Sequence, residues 1–452
     1  MKKQILQITL LSMFSMIALK AQEKSNSFSL QQAIEYAYKN SPSYLNAELD
    51  VQSAVYKKNE TAGIGLPQIS SSFDFKDYLT IPTSVIPAAA FNPMAPADAY
   101  GTVQFGTQYN ATAGFSASQL LFSTDYILGI KATKEFLKLS RINVTRTKAE
   151  LVSQVSKAYY SVIINKERVK LIDANLTNLK TVLDNTTAFN KQGFVEAIDV
   201  ERLEVAYNNL MTEKEKIQNL ILLSENLLKF QMGYKISDGL TLSDSLSKVT
   251  MEEIDLSKIN ISNRPEFLLL QTQQKLSDLD IKRLKWGYMP TIAAYGAYQF
   301  NTFRTSPNIF DYDKSNPIKK WFNVSLIGLT VNLNVFDGFQ RHYKIQQAKI
   351  TSMKNQNNIK NFELAAQLEA NSAGVMYTNA LSSLKIQKRN MDLAQNIYKV
   401  SQKKYEQGVG SNLEIINAQT ALKEAETNYY NVIFDMLVYK TDYLKATGSL
   451  IK

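Results

Sequence analysis

The most regular pattern in the chain is an apolar heptad repeat in its first half. Its two rows, which recur every seven residues and lie three residues apart, consist of Val155, Val162, Val169, Leu176 and Leu183, and of Ala158, Asn165, Ile172 and Leu179. No proline interrupts the chain between Ala97 and Arg264. The pattern predicts a helix over about 124–187, on the order of 95 Å long at ~1.5 Å per residue. Such a helix needs partner helices against its apolar seam.

Glycine turns divide each half of the chain into two helical segments. The segment 189–193 ends in Gly193 and is followed by a proline-free stretch over about 199–230 that is rich in Leu, Glu and Lys. The second half repeats this layout, with a helix over about 341–404, a turn at 405–410 and a return helix over about 412–447. The sequence therefore predicts two helical hairpins, over about 124–232 and 341–447, with turns near 193 and 408.

Four other segments alternate apolar and polar residues, which is typical of strands with one apolar and one polar face. We predict strands over about 68–80, 107–122, 291–303 and 322–336. Each is longer than the roughly 9 to 11 residues that a tilted strand needs to cross a bilayer. Aromatic residues near their ends could form interfacial girdles, although a soluble half-buried sheet has the same alternation.

Two pairs of spacings indicate an internal duplication. The positions that recur at equal intervals in the two halves are Pro42 and Pro67, Pro265 and Pro290, Gly193 and Gly233, and Gly408 and Gly448. We therefore divide the chain into a first repeat over 22–250 and a second over 251–452. We expect the prolines to mark the passage from helix into strand.

The first 21 residues have the character of a secretory signal peptide. Lys2 and Lys3 precede an apolar run, and Ala21 suits a cleavage site. No later apolar run reaches 18 residues, so we expect any membrane crossing to use β-strands. The chain contains no cysteine, which excludes disulfides and redox chemistry.

Charge and composition give no support for nucleic-acid binding or catalysis. The formal net charge is +10, but it is spread along helices as mixtures of lysine and glutamate, as on a solvated surface. The one histidine, His342, lies beside Arg341 and Tyr343 and is better explained as a surface residue than as a base or ligand. We expect no enzyme activity, no cofactor and no metal site.

Several short motifs resemble the TolC-like outer-membrane efflux proteins. They are Ser29 to Ile34, Asn40-Ser41-Pro42, Leu66-Pro67 and, at the start of the second repeat, Asn263-Arg264-Pro265-Glu266. The two turns are the most specific part, since the family has an aromatic residue, then Gly, then an acidic residue before an aliphatic one. The second turn matches with Tyr405, Gly408, Glu414 and Ile415. The first has Gly193, Asp199 and Val200, but Asn190 in place of the aromatic residue.

The resemblance implies an α+β fold, mainly α, made of two structural repeats, each with two transmembrane strands and long coiled-coil-like helices. It implies a homotrimer whose strands share a 12-stranded β-barrel in the outer membrane, continued by an α-helical tunnel in the periplasm. The implied function is passive export in a tripartite efflux or type I secretion system. The partners would be outer-membrane lipid, a periplasmic adaptor (membrane fusion protein), and an inner-membrane efflux pump or ABC transporter.

The resemblance also implies roles for residues at the turns. Glu414 and Asp199 would line a pore constriction, and Tyr405 would belong to the gate. Asn417 and Gly410 depart from the family, where a second pore aspartate and a gate-closing arginine occur, so we expect a weaker latch. The adaptor would contact Gln192, Gly193, Gln407, Gly408 and Gly410. Alternatively, Asp199 and Glu414 only stabilise the first turns of their helices.

Two other functions remain open at this point. The chain could be an exported coiled-coil scaffold or adhesin whose strands only cap the bundle. It could also be a solute-uptake porin, but a porin would use most of its length for strands rather than for four long helices.

Overall fold

A computed structural model describes residues 27–246 and 260–451. The predicted signal peptide and part of the junction between the two repeats lie outside these residues. In chain order, the helices are α1 (Leu30–Asn40), α2 (Pro42–Gly63), α3 (Thr124–Lys191), α4 (Ala197–Met232), α5 (Pro265–Trp286), α6 (Gln340–Glu406) and α7 (Asn412–Ala446). The strands are β1 (Ser27–Phe28), β2 (Gln68–Asp77), β3 (Thr83–Pro87), β4 (Tyr100–Gln104), β5 (Tyr109–Phe122), β6 (Thr241–Leu242), β7 (Thr291–Arg304) and β8 (Phe322–Asn332). The predicted class, α+β and mainly α, agrees with these elements.

The chain forms two compact units, and neither coincides with one sequence repeat. The first unit comprises the described residues of Met1–Val51, Ser140–Gln271 and Asn357–Lys452. The second comprises Gln52–Leu139 and Thr272–Gln356. Each unit thus takes residues from both repeats, so the duplication describes the order of elements along the chain and not the compact units.

The helical unit has its core along the predicted seam of α3. Val155, Val162 and Leu179 are fully buried, and Leu176 and Leu183 nearly so. Three apolar clusters lie along α3: over 151–163 it packs against α1 and α4, near Ile164 against α6 and α7, and over 172–183 against α4, α6 and α7. The heptad pattern was therefore a correct sign of partner helices.

The second unit contains a four-stranded antiparallel sheet in the order β2, β5, β7, β8. These are the four strands that the alternation predicted, but β2, β5 and β8 are shorter than predicted. β2 ends at Asp77, opposite Tyr109, where its partner β5 begins. β8 ends at Asn332, opposite Thr291, because Pro290 precedes β7 and has no N–H to continue the ladder.

Four short strands were not predicted. β1 and β6, of two residues each, pair in parallel in the first unit, and β3 and β4, of five residues each, form a hairpin in the second. Strands of this length are too short to display an alternating pattern, and Pro87 is the last residue of β3.

The repeated prolines and glycines have more than one structural role. Pro67 and Pro290 immediately precede β2 and β7, as predicted, but Pro42 and Pro265 are the first residues of helices. This part of the prediction was wrong, since proline suits the first helical position as well as a strand boundary. Gly233 and Gly448 follow the ends of α4 and α7 with φ of 68° and 69°, in contact with the backbone just before Pro42 and Pro265.

Within the described residues, none of the helices combines the length and the apolar character that a membrane-spanning helix requires.

Replacing Gly233 by alanine should lower the thermal unfolding midpoint by about 2 °C or more. The left-handed φ disfavours any side chain, and a Cβ would clash with the carbonyl of Asn40. The control is Gly239→Ala, because a Cβ there meets no heavy atom within 4 Å. Circular dichroism melts of both variants would test this, and equal midpoints would contradict it.

Candidate functional site

The turns that join the long helices are built in the same way in both repeats. Gly193 has φ of 79° and Gly408 of 75°, a left-handed conformation that glycine adopts most readily. The N–H of Gly193 donates to the carbonyl of Asn190 at 2.9 Å, and that of Gly408 to the carbonyl of Tyr405 at 3.0 Å. Both turns therefore lie where the sequence placed them. We call residues 186–202 and 401–417 the two hairpin ends.

Other residues predicted at the turns are open to solvent or sterically confined. Gln192 and Gln407 are exposed. Gly410 donates its N–H to the carbonyl of Lys404 at 3.1 Å, and a Cβ at this position would lie only 3.0 Å from the Cβ of Lys404. A larger residue in place of Gly410 would thus require this turn to shift.

Tyr405 joins the second hairpin to the first. Its hydroxyl lies 2.8 Å from Oγ1 of Thr186, a fully buried residue whose hydroxyl also donates to the carbonyl of Val182. Asn190, which takes the place of the aromatic residue in the first turn, instead donates from Nδ2 to the carbonyl of Val195 at 2.8 Å. The first turn therefore stabilises itself, whereas the aromatic residue of the second turn bonds to the other hairpin.

A second link joins Asp199 to Asn412. Nδ2 of the buried Asn412 donates to the backbone carbonyl of Asp199 at 2.5 Å and lies 3.3 Å from its carboxylate. Sequence reasoning missed both Asn412 and Thr186, because these bonds connect residues more than 200 positions apart. The sequence had one sign of Asn412: the position that corresponds to it in the first repeat is Ala197, so the amide occurs in the second repeat alone of the two.

Glu414 has its partners within its own hairpin. Its N–H is capped by Oγ of Ser411 at 3.2 Å, and its carboxylate accepts from Ser401 at 3.2 Å and Lys404 at 3.3 Å. Asp199 and Glu414 lie in the first turns of α4 and α7, where the positive end of the helix dipole stabilises a carboxylate. Asn417 is exposed on α7. The structure thus brings Tyr405 and Asp199 to the opposite hairpin but leaves Glu414 and Asn417 apart from these links.

One face of the sheet of the second unit has a large apolar patch. The register places Phe73 opposite Ala113, Ala113 opposite Phe300, and Phe115 opposite Tyr298. The same face continues with the apolar side chains of Ile69, Phe75, Ala111, Ala117, Ile327, Leu329 and Val331. Ile327 is 90% exposed and Ile69 is 74% exposed, and the opposite face has serine, threonine and asparagine on β2 and β5 but Val324 and Leu326 on β8. An exposed apolar surface of this kind marks an interaction with lipid or with another protein.

Two long helices of the first unit also have exposed apolar stripes. On α4 the stripe consists of Leu220, Leu223, Leu227 and Phe230, and on α6 of Ile386, Leu393, Ile397 and Val400. Their spacings of three, four and seven residues place each set on one side of its helix. Each stripe is suited to packing against another helix.

Comparisons with known proteins agree with this architecture. Residues 257–437, which belong to the second repeat, match the family model described as "Outer membrane efflux protein". Outer membrane protein TolC of Escherichia coli (strain K12) is 19% identical, over 94% of this chain and 83% of that protein. The chain is similar to outer membrane efflux proteins, and its second repeat matches their family model. The resemblance seen in the motifs at the turns and prolines is therefore confirmed, and the members of this family are channel proteins rather than enzymes.

Two further proteins extend the comparison. The probable efflux pump outer membrane protein TtgC of Pseudomonas putida (strain KT2440) is 23% identical, over 76% of this chain and 69% of the relative. The crystal structure of the Campylobacter jejuni CmeC outer membrane channel superposes with a TM-score of 0.76 at 15% identity, covering 95% of this chain and 86% of that one. The fold is therefore shared over nearly the whole chain.

Replacing Asn412 by alanine should destabilise the hairpin ends by about 1–3 kcal/mol, because the carbonyl of Asp199 would lose the donor that the buried amide supplies. Hydrogen exchange of peptides from both hairpin ends would report the change as faster exchange. Asn417→Ala is the control, since Asn417 is exposed on the same helix. Equal exchange in the two variants would contradict a linking role for Asn412.

Proposed function

We propose that this chain is the outer-membrane exit duct of a tripartite efflux or type I secretion system. It conducts substrates passively from a periplasmic adaptor and an inner-membrane pump or ABC transporter to the exterior. The observation that carries the proposal is the exposed apolar patch of the sheet, in a chain that is similar to outer membrane efflux proteins and also forms long helical hairpins. Lipid would cover that face, and the helices would extend into the periplasm.

The duct would be a homotrimer with a shared 12-stranded barrel. Among the described residues, β2 and β8 each pair on one side only, which leaves two open sheet edges. Unpaired backbone groups are costly in lipid, so pairing between copies is the simplest way to close the sheet. The exposed stripes on α4 and α6 support the same arrangement, since one stripe could pack against the other in a ring of copies.

The hairpin ends would form the periplasmic gate. Asp199 and Tyr405 are the predicted gate residues that bond across the two hairpins, and Glu414 and Asn417 would contribute to the pore lining. The adaptor would dock on the turns at Gln192, Gly193, Gln407, Gly408 and Gly410. The exposure of Phe194 and Val409, about three quarters of each side chain, gives these turns an apolar contact surface.

The purified protein reconstituted in planar bilayers tests the duct directly. We expect heat-modifiable trimers in the outer-membrane fraction and stepwise single-channel currents. Release of the protein from membranes by a high-salt wash, together with the absence of any current, would favour the exported scaffold or adhesin and contradict the duct.

Glu414→Gln should raise the leak conductance of the resting channel or reduce its cation selectivity. The substitution removes a carboxylate that accepts from Ser401 and Lys404 and that would belong to an acidic ring in the trimer. Single-channel recordings in bilayers would measure both quantities, with the exposed Glu424→Gln as the control. Identical recordings for wild type and Glu414→Gln would exclude the assigned gate role.

A further inference from the structure

A small cavity lies between the two hairpins within the helical unit, and none of the residues that line it belongs to the turns. Its volume of about 20 Å³ is sufficient for a water molecule. Helices α3, α4 and α7 line it, and its apolar side chains are Leu171, Ile172, Leu210 and Ile217. Glu426 of α7 lines this cavity, although no function assigned above requires a carboxylate there.

The polar partner of Glu426 is an amide. Nδ2 of Asn175, a residue of α3 that is 6% exposed, donates to the Glu426 carboxylate at 2.9 Å. Within the described part of the chain, no lysine or arginine nitrogen lies within ion-pair distance of this carboxylate. An ionised Glu426 would therefore be a poorly compensated charge between packed helices.

The other charged and titratable groups around the cavity come from all three helices. α3 contributes Arg168, α4 contributes Glu213, and α7 contributes Lys423 and Tyr430. Lys423 is directed to Glu213, at 3.8 Å, rather than to Glu426. Lys423, the positive charge nearest to Glu426 along α7, is thus already shared with another carboxylate.

Burial raises the pKa of Glu426 to about 7, against the opposing effect of the hydrogen bond from Asn175. When the helices separate, the carboxyl returns to its ordinary pKa of about 4.5. The packed state therefore binds a proton more tightly than the separated state. The proton on Glu426 therefore stabilises the packed state fully below the ordinary pKa, and this stabilisation is lost as the pH rises through the pKa of the packed state.

We propose that Glu426 is a proton-sensitive contact that tightens the packing of α7 on α3 and α4 when neutral and loosens it when ionised. If the proposed duct function holds, this contact would make the movement of α7 against the first hairpin depend on pH. The acid is not part of the duplicated pattern, because Met211 stands at the repeat-related position in α4. The contact is thus specific to the second repeat.

Hydrogen exchange of the full-length protein in detergent tests this contact without requiring a channel. The contact lies within one chain, so the test applies to a trimer and to a monomer. Rates for peptides spanning 170–178 and 420–430 are compared between wild type and Glu426→Gln at the same pH, so that the intrinsic pH dependence of exchange cancels. We expect a ratio near one at pH 4.5 and at least about tenfold faster exchange of wild type at pH 8. Glu424→Gln, on the exposed face of α7, should keep the wild-type pH dependence.

A ratio that is the same at both pH values would overturn the proposal, even if the protein conducts ions. An exchange rate, relative to Glu426→Gln, that rises from pH 4.5 to pH 8 in wild type and in Glu424→Gln would support it, even if no current is seen. The outcome for Glu426 is therefore separate from the outcome for the duct.

Discussion

A helix of 67 or 68 residues cannot bury its own apolar side chains, and most of this structure follows from that constraint. Different helices of the same unit cover the seam of α3 along its length, first α1 and α4, then α6 and α7, and finally α4, α6 and α7. Each hairpin supplies part of the core of the other. The apolar stripes on α4 and α6 remain exposed in the single chain, so the need for apolar partners extends beyond one chain.

The polar contacts set how the hairpins are held together. Thr186 with Tyr405, and Asn412 with Asp199, are hydrogen bonds between the hairpin ends, and only one of these four side chains has a formal charge. Hydrogen bonds between largely neutral groups contribute about 1 kcal/mol each and depend little on salt. The space around Gly410 leaves no room for a larger side chain without a shift of the turn. These contacts are compatible with a resting state that is closed but easily released.

The sequence predicted those features that depend on local or periodic constraints. The left-handed turns required glycine at 193 and 408, the heptads required partner helices, and the alternation defined the four main strands. It did not predict features set by distant partners. The ends of β2 and β8 depend on where β5 and β7 begin, and the importance of Asn412 depends on a carbonyl in the other hairpin. Pro42 was misinterpreted because one residue type suits both a strand boundary and a helix start.

The central claim is that contact between the two hairpin ends closes an export duct. The chain has no cysteine, so an Asp199→Cys/Asn412→Cys double variant can form a disulfide at this contact without competing thiols. Single-channel conductance should be measured in planar bilayers before and after reduction. The account predicts a low conductance for the oxidised protein and a higher, more variable conductance once the disulfide is reduced. A fully cross-linked protein that conducts as well as the reduced one would contradict it.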